Sequence, residues 1–183
     1  MRTTSLIARV SLSAALAACV TFAGASTASA VTSGFTVSIP SAVAGTLPVT
    51  YTCDGQSISP ALRWSGAPKG TKGYAIVMDH VPPDGGHHWY FLDWDIPAKT
   101  RSLAAGATTV GYLGGNSVNR EIGYAPPCSK GPGAKTYTIT VYALSGTPNL
   151  PKTSTASVTR DQVLSAISGI TLSKAVLDAT YTR

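Results

Sequence analysis

Runs of β-branched and aromatic residues, separated by Gly, Pro, Asn or Asp, most constrain the fold of this chain. Such runs favour strands, and the residues between them favour turns. Five runs predict strands, namely FTVSI (35–39), LPVTY (47–51), GYAIVMD (73–79), WYFLDW (89–94) and TYTITVYAL (136–144). The C-terminal KAVLDATYTR has the same character. The chain is therefore expected to be mainly β.

Two of these runs also predict where their strands lie. In TYTITVYAL, Tyr137, Ile139, Val141 and Ala143 share one face, and three threonines line the other. This alternation indicates a strand with one buried face. YAIVM, at 74–78, is apolar at every position, which predicts a central strand covered on both faces.

One segment predicts a helix. TRDQ, at 159–162, has the pattern of a capping box, in which Thr159 and Gln162 satisfy each other's backbone amides. Val163, Leu164 and Ile167 follow at helical spacing, and Gly169 is placed to end the helix. Because the chain shows no internal repeat or interdomain linker, we expect an α+β, mainly β, single compact domain.

The first thirty residues predict a secretory signal peptide, which leaves 31–183 as the domain. Arg2 and Arg9 precede an apolar run at 12–25, and ASA at 28–30 is a small-residue cleavage pattern. The run is too short and too rich in Ala and Ser to predict a membrane span. LAAC at 16–19 offers an alternative, a lipoprotein anchored through Cys19. Either route places the domain outside the cytoplasm.

The cysteines fit that location. Cys19 leaves with the signal peptide or carries a lipid, so Cys53 and Cys128 remain in the mature chain. Two cysteines in an exported domain usually pair, which predicts a disulfide closing a loop of about 75 residues. Two separate buried thiols are the alternative.

Charge and motifs exclude several functions. Without residues 1–30 the chain has twelve basic and eight acidic residues, a formal charge of +4. The basic residues are scattered singly, which argues against nucleic-acid binding, while a mild positive balance favours anions. The chain has no Gly-x-Ser-x-Gly motif, and GPGAKT at 131–136 lacks the ending of a phosphate-binding loop. We therefore expect no enzymatic activity and no cofactor.

All three histidines lie in MDHVPPDGGHHWY, at 78–90. Together with Asp79 and Asp84, the side chains of His80, His87 and His88 could bind zinc or another divalent ion, as in a metal-dependent hydrolase. However, PPDGG is a turn composition, and adjacent His87 and His88 face opposite ways in a strand. We favour a strand and its turn at the rim of a pocket.

The order of four segments resembles the phosphatidylethanolamine-binding protein family, and within it the bacterial Raf-kinase-inhibitor-like branch. They are CDGQSISPALRW (53–64), the strand ending in Asp79 with prolines after it, WDIPA (94–98) and GYAPPCSKGPGAKTYTITVYAL (123–144). The resemblance covers residues 35–183. It implies a compact, largely antiparallel β fold with few peripheral helices. It also implies one small pocket for phosphate-like or carboxylate head groups, and some members inhibit kinases or proteases.

At the positions that form the family's pocket, this chain keeps some of the family's residues and replaces others. Asp79 and Pro83 match the first Asp and the last Pro of its Asp-Pro-Asp-Ala-Pro segment, whose second acid is lost here. Tyr90 and Lys135 stand where the family has its two pocket histidines. PPCSKG at 126–131, with Pro127, replaces the family's Gly-Pro-x-Pro-Pro-x-Gly loop.

Strand parity gives these substitutions a physical meaning. Lys135 shares the apolar side of its strand with Tyr137, where an ammonium group is costly unless it meets an acid or an anionic ligand. We predict that Asp79, Tyr90, Lys135 and Tyr137 converge on a pocket for a small anion or lipid head group. Pro83 and Pro127 would help to line it.

Two alternatives stay open. In a closed site, Lys135 would pair with Asp79 or turn to solvent. In a different functional class, the protein would be an interaction module that inhibits an extracytoplasmic kinase or protease.

Overall fold

Eight strands, one α-helix and one short 3-10 helix build the part of the chain that the computed structural model describes, residues 34–183. The strands are β1 (Thr36–Ser38), β2 (Leu62–Ser65), β3 (Gly73–His80), β4 (His88–Pro97), β5 (Ser102–Leu103), β6 (Tyr112–Leu113), β7 (Lys135–Leu144) and β8 (Thr171–Tyr181). The α-helix α1 spans Arg160–Ile167, and the 3-10 helix spans Val49–Tyr51.

The strands form two antiparallel sheets. The larger has the order β6-β4-β3-β7-β8, and the smaller has the order β1-β2-β5. β3 lies in the middle of the larger sheet, and every residue of it from Gly73 to Asp79 is buried. This confirms the central position predicted from its uninterrupted apolar run.

The larger sheet is covered on both faces. Its face towards the smaller sheet carries the main core, where Tyr137, Ile139, Val141 and Ala143 of β7 meet residues of β1 and β2. The opposite face carries a smaller core in which Val163 and Ile167 of α1 take part. The alternation of β7 is therefore confirmed, since burial of alternate residues defines its inner face.

The helix forms where the capping box predicts it. The Thr159 side chain accepts a hydrogen bond from the Gln162 amide, and the Gln162 side chain accepts one from the Thr159 amide at 2.8 Å. The helix ends at Ile167, two residues before Gly169. The buried residues of the helix, Val163 and Ile167, face the larger sheet and cover it.

The strand predicted for LPVTY is wrong. Val49–Tyr51 form a 3-10 helix, in which the Tyr51 amide donates to the Pro48 carbonyl at 3.0 Å. Pro48 has no amide hydrogen for a ladder, and its φ of −56° suits the start of a turn. Leu47 and Tyr51 are nevertheless buried, so the apolar residues serve the core without forming a strand.

The predicted disulfide between Cys53 and Cys128 is present. It joins the loop after the 3-10 helix to the loop before β7. Residues 1–30, with the predicted signal peptide and Cys19, lie outside the described residues. Within residues 34–183, no helix is both long enough and apolar enough to cross a membrane.

Candidate functional site

A cavity of about 480 Å³ opens at one edge of the larger sheet, where β3 ends and β4 and β7 begin. The loop after β6, with Ser117 and Val118, and the loop before β7 complete its walls. The lining residues are His80, Pro82, Pro83, His88, Tyr90, Ser117, Val118, Pro126, Cys128, Ser129, Lys130, Lys135 and Tyr137. Among these residues are two lysines and two histidines, and none is a carboxylate.

Two tyrosines form its inner wall. The rings of Tyr90 and Tyr137 meet edge to face, with 5.2 Å between their centroids. Burial raises the pKa of Tyr90, and it raises the pKa of Tyr137 to about 12 with a smaller contribution from Tyr90. The interaction between the two hydroxyl groups lowers the pKa of Tyr90 and raises that of Tyr137. Two phenol groups therefore lie side by side in the cavity wall.

The Ser129 backbone lies beside the Tyr137 hydroxyl and partly offsets the rise in its pKa. Ser129 is a non-glycine residue with φ of 42°, and its own hydroxyl donates to the Tyr181 carbonyl at 3.0 Å. The disulfide at Cys128 and the hydrogen bond from Ser129 to Tyr181 both anchor this loop beside the tyrosines. The cavity wall is therefore anchored by covalent and polar contacts.

His80 contributes a ring nitrogen to the site. Its Nδ1 lies 2.8 Å from the Thr136 carbonyl oxygen, and a carbonyl can only accept, so Nδ1 carries the hydrogen. Its ring also packs against Tyr137 at 5.5 Å. Nε2 is then the nitrogen that remains to accept a hydrogen bond, or to donate one when the ring is protonated.

Lys135, the first residue of β7, supplies a cationic group. Its Nζ donates to the Pro132 carbonyl at 3.3 Å, and no carboxylate in residues 34–183 forms an ion pair with it. Lys130 is exposed on the neighbouring loop. The closed site, with Lys135 paired to Asp79, is absent from the described structure.

The position of the Asp79 side chain contradicts one prediction from the sequence. Its Oδ2 lies 2.6 Å from Nε of Arg160 and 3.8 Å from Nδ1 of His87, and Asp79 does not line the cavity. Alternation along β3 explains this, because Met78 faces the main core and Asp79 faces the helix side. The predicted convergence of Asp79 with Tyr90, Lys135 and Tyr137 is wrong.

The remaining predicted residues divide between the lining and the layer behind it. Pro83, Tyr90, Lys135 and Tyr137 line the cavity. Pro127 is buried and does not, although Pro126 and Cys128 on either side of it do. The Pro127 carbonyl accepts a hydrogen bond from the Cys53 amide at 3.1 Å, so this residue secures the loop.

Several lining residues were not singled out as ligand-binding from the sequence. His80 had a usable signal, because it continues the alternation of Ile76 and Met78 and so points towards the main-core side. Ser117, Val118 and Lys130 had none, since they reach the cavity on loops whose course no periodicity indicates.

The histidine stretch does not form a metal centre in the described structure. Residues 34–183 contain no group of three or more His, Cys, Asp or Glu side chains that could hold a metal ion. His88 lines the cavity while His87 approaches Asp79 on the other face. The metal-dependent hydrolase alternative therefore has no ligand set here.

Fold and cavity define a two-sheet β domain with a small, basic edge pocket. The family model for phosphatidylethanolamine-binding protein matches residues 38–182. The chain belongs to this family.

Several known proteins are similar to this chain in sequence. A UPF0098 protein of Methanothermobacter thermautotrophicus is 32% identical over 146 residues, which are 76% of this chain and 92% of that protein. A UPF0098 protein of Aquifex aeolicus is 36% identical over 105 residues, covering 54% of this chain and 61% of that protein. LppC of Mycobacterium tuberculosis, whose name includes the word lipoprotein, is 32% identical over 67% of this chain and 61% of its own length.

Solved structures share the fold. A phosphatidylethanolamine-binding protein homologue from Chlamydia trachomatis, CT736, superposes with a TM-score of 0.73 at 27% identity, covering 82% of this chain and 99% of that one. The YbcL protein of E. coli superposes with a TM-score of 0.71 at 24% identity, covering 81% and 98%. The latter likeness concerns the fold alone.

Proposed function

We propose that this protein is an exported, non-enzymatic binding protein that holds a small anion in the cavity at the edge of the larger sheet. The anion is of the phosphate type, free or as part of a phospholipid head group. The observation that carries the proposal is the lining itself, which combines Lys130 and Lys135 with hydroxyl and imidazole groups and contains no carboxylate.

The physical argument rests on unpaired donors. An ammonium group held near an apolar wall gains from an anion, because charge-assisted hydrogen bonds are stronger than neutral ones. Lys135 has a single backbone carbonyl as its partner, so it can donate further hydrogen bonds. Tyr90 and Tyr137 are protonated at neutral pH, because the ordinary pKa of a phenol lies well above 7 and burial raises it further at both residues. A protonated phenol can donate a hydrogen bond to an anion.

The contacts of the lining serines support a role without turnover. The Ser129 hydroxyl donates to the Tyr181 carbonyl, and the Ser117 hydroxyl donates to the Trp89 carbonyl at 3.1 Å. Neither bonds to a histidine, which a serine nucleophile would need as its base. The lining Cys128 is held in a disulfide and is no free thiol.

Export is supported by two separate features. Residues 1–30 have the pattern of a signal peptide, and the Cys53–Cys128 disulfide suits an oxidising compartment. The lipoprotein route through Cys19 is the alternative, and the name of the relative LppC agrees with it. Labelling of cells with a lipid precursor separates the two routes, because only the lipoprotein would incorporate it.

The binding test compares wild type with Lys135→Ala. We titrate inorganic phosphate and O-phosphorylethanolamine by calorimetry and expect Lys135→Ala to weaken binding by about tenfold or more, the effect of losing a charged hydrogen bond. Lys99→Ala is the matched control, because Lys99 is an exposed lysine in the turn after the far end of β4. It should bind as wild type does.

Two results would refute the anion site. One is wild-type protein that binds neither compound at millimolar concentration, and the other is equal affinity in wild type and Lys135→Ala. If binding fails while the protein inhibits a kinase or protease, the interaction-module class replaces the proposal. Ligand-dependent thermal stabilisation gives an independent readout, since a ligand that binds only the folded state raises the melting temperature.

A further inference from the structure

β8 is an edge strand of the larger sheet, and most of its outer edge is open. β7 pairs with it on one side along its whole length. On the other side, only its end is covered, where the Leu47 amide donates to the Thr180 carbonyl and the Thr180 amide donates to the Gly45 carbonyl, both at 2.8 Å. An open strand edge is a template for pairing with another strand.

The contacts of Thr180 fix which backbone groups face outwards. Both its amide and its carbonyl point away from β7, and this orientation alternates along a strand. Lys174, Val176 and Asp178 therefore present their amides and carbonyls to the same open side. In the described part of the chain, none of these six groups bonds to another segment.

The side chains of the same three residues lie on the exposed face of β8. Lys174 and Asp178 are about 13 Å apart along the strand, so they cannot pair with each other. Lys174 has no ion pair among residues 34–183, and Asp178 accepts a hydrogen bond from Thr138 at 2.7 Å. Val176, halfway between them, is 51% exposed.

We propose that a second copy of this chain pairs with β8 antiparallel, edge to edge, about a two-fold axis at Val176. In this register Val176 faces Val176 of the second copy, and Lys174 faces Asp178 of the second copy on each side of the axis. All six outward backbone groups of each copy then have partners. The pattern Lys-x-Val-x-Asp is complementary to itself only in this register.

The ends of the open edge limit the ladder to about five residues. Residues 45–47 occupy the edge beside Thr180, and a register shift interrupts the pairing of β7 with β8 between Ala143 and Leu144. A short ladder with two exposed ion pairs gives a reversible, salt-sensitive dimer. Sliding by two residues would place Lys174 opposite Val176 and lose both ion pairs, so charge selects the register.

The dimer is independent of the proposed anion site. The cavity lies at the Lys135 end of β7, which pairs with Tyr181, beyond the covered end of β8. Pairing through Lys174, Val176 and Asp178 leaves both cavities open. Failure of one proposal therefore does not affect the other.

The test is sedimentation velocity across a concentration series, at low and high salt. We expect concentration-dependent dimers of wild type that weaken with salt. Lys174→Asp places two carboxylates opposite each other at both sites and should raise the Kd about tenfold. Combining Lys174→Asp with Asp178→Lys restores opposite charges in reversed order and should bring the Kd back near the wild-type value.

A second variant tests the axis. Val176→Lys sets two lysines against each other at the centre and should leave only monomer, with an unchanged circular dichroism spectrum because the position is exposed. Three results would each overturn the proposal. They are a monomeric wild type at every concentration, a dimer insensitive to Lys174→Asp, and a double variant no stronger than Lys174→Asp alone.

Discussion

At the residue scale, Asp93 is the least expected group in the structure. It lies on β4 opposite Ile76 and is only 2% exposed, and its Oδ1 has no hydrogen-bond partner. The absence of a side chain at Gly111 makes room for it, since a Cβ there would lie 2.1 Å from Oδ1. Burial raises the pKa of Asp93 to about 8, so the carboxyl group is neutral at neutral pH.

This pKa predicts how stability depends on pH. The folded protein keeps the Asp93 proton up to about pH 8, whereas the unfolded chain loses it near pH 4. The stability associated with the neutral carboxyl is therefore fully present below pH 4 and is lost as pH rises towards 8, by about 1.4 kcal/mol per pH unit at most. Urea unfolding at a series of pH values measures this slope.

Asp93→Asn removes the titrating group and should flatten the slope between about pH 4 and pH 8. Asp161→Asn is the control, because the Asp161 side chain is 89% exposed. An unchanged slope in Asp93→Asn would show that this carboxyl group is ionised in the folded protein.

At the element scale, the Asp79–Arg160 ion pair fastens α1 to the central strand. The side chains are 12% and 17% exposed, so water screens the pair only weakly. Val163 and Ile167 supply the apolar part of the same contact. A buried ion pair adds little net stability, but removing one partner leaves the other charge buried and unpaired.

Arg160→Ala is therefore expected to lower the free energy of unfolding by about 3 kcal/mol, measured with urea. Alanine suits the first helical position, so loss of helix propensity does not explain the change. Lys152→Ala, which breaks the exposed Lys152–Asp95 pair, should cost less than about 1 kcal/mol. Equal effects of the two substitutions would contradict this assignment.

At the scale of the whole molecule, the disulfide links two loops that are 75 residues apart in sequence. One follows the 3-10 helix, and the other forms a wall of the cavity. The bond between the Cys53 amide and the Pro127 carbonyl strengthens the same junction. Stability and the shape of the cavity are therefore coupled at Cys128.

Replacing both cysteines by alanine should lower the free energy of unfolding by about 4 kcal/mol, the loop-closure value for this separation. It should also weaken anion binding, because the wall at 126–130 loses its covalent anchor. Calorimetric titration and urea unfolding measure the two effects. A reductant should reproduce both in wild type and change neither in the double variant, and a variant as stable as wild type would refute the argument.

Local sequence patterns predicted most of the fold. Alternation in β7, the apolar run of β3 and the capping box at Thr159 each depend on neighbouring residues only, and all three are confirmed. LPVTY misled because Leu47 and Tyr51 are indeed buried, but Val49 is exposed and Pro48 directs the chain into a turn. The strands β5 and β6 have two residues each, too few for any periodicity.

The site was predicted only in part, and its errors have physical causes. Tyr137 faces the main core by strand parity. A register shift in the pairing of β3 with β4, between Met78–Phe91 and Asp79–Trp89, turns Tyr90 to the same side, so the two rings meet. Asp79 was placed with them through the resemblance, although alternation puts it on the other face of β3. Its partner Arg160 lies 81 residues away, beyond the reach of any local pattern.

The sequence by itself determined the β character and the faces of most long strands, because periodicity and composition act over short stretches of chain. The order of four segments indicated the family, and the presence of two cysteines in an exported domain predicted the pairing of Cys53 with Cys128. Tertiary structure alone decided that Ser117, Ser129 and Lys130 share a cavity and that Arg160 pairs with Asp79. Such meetings depend on where loops close and which strands become neighbours, and burial of the whole core sets both.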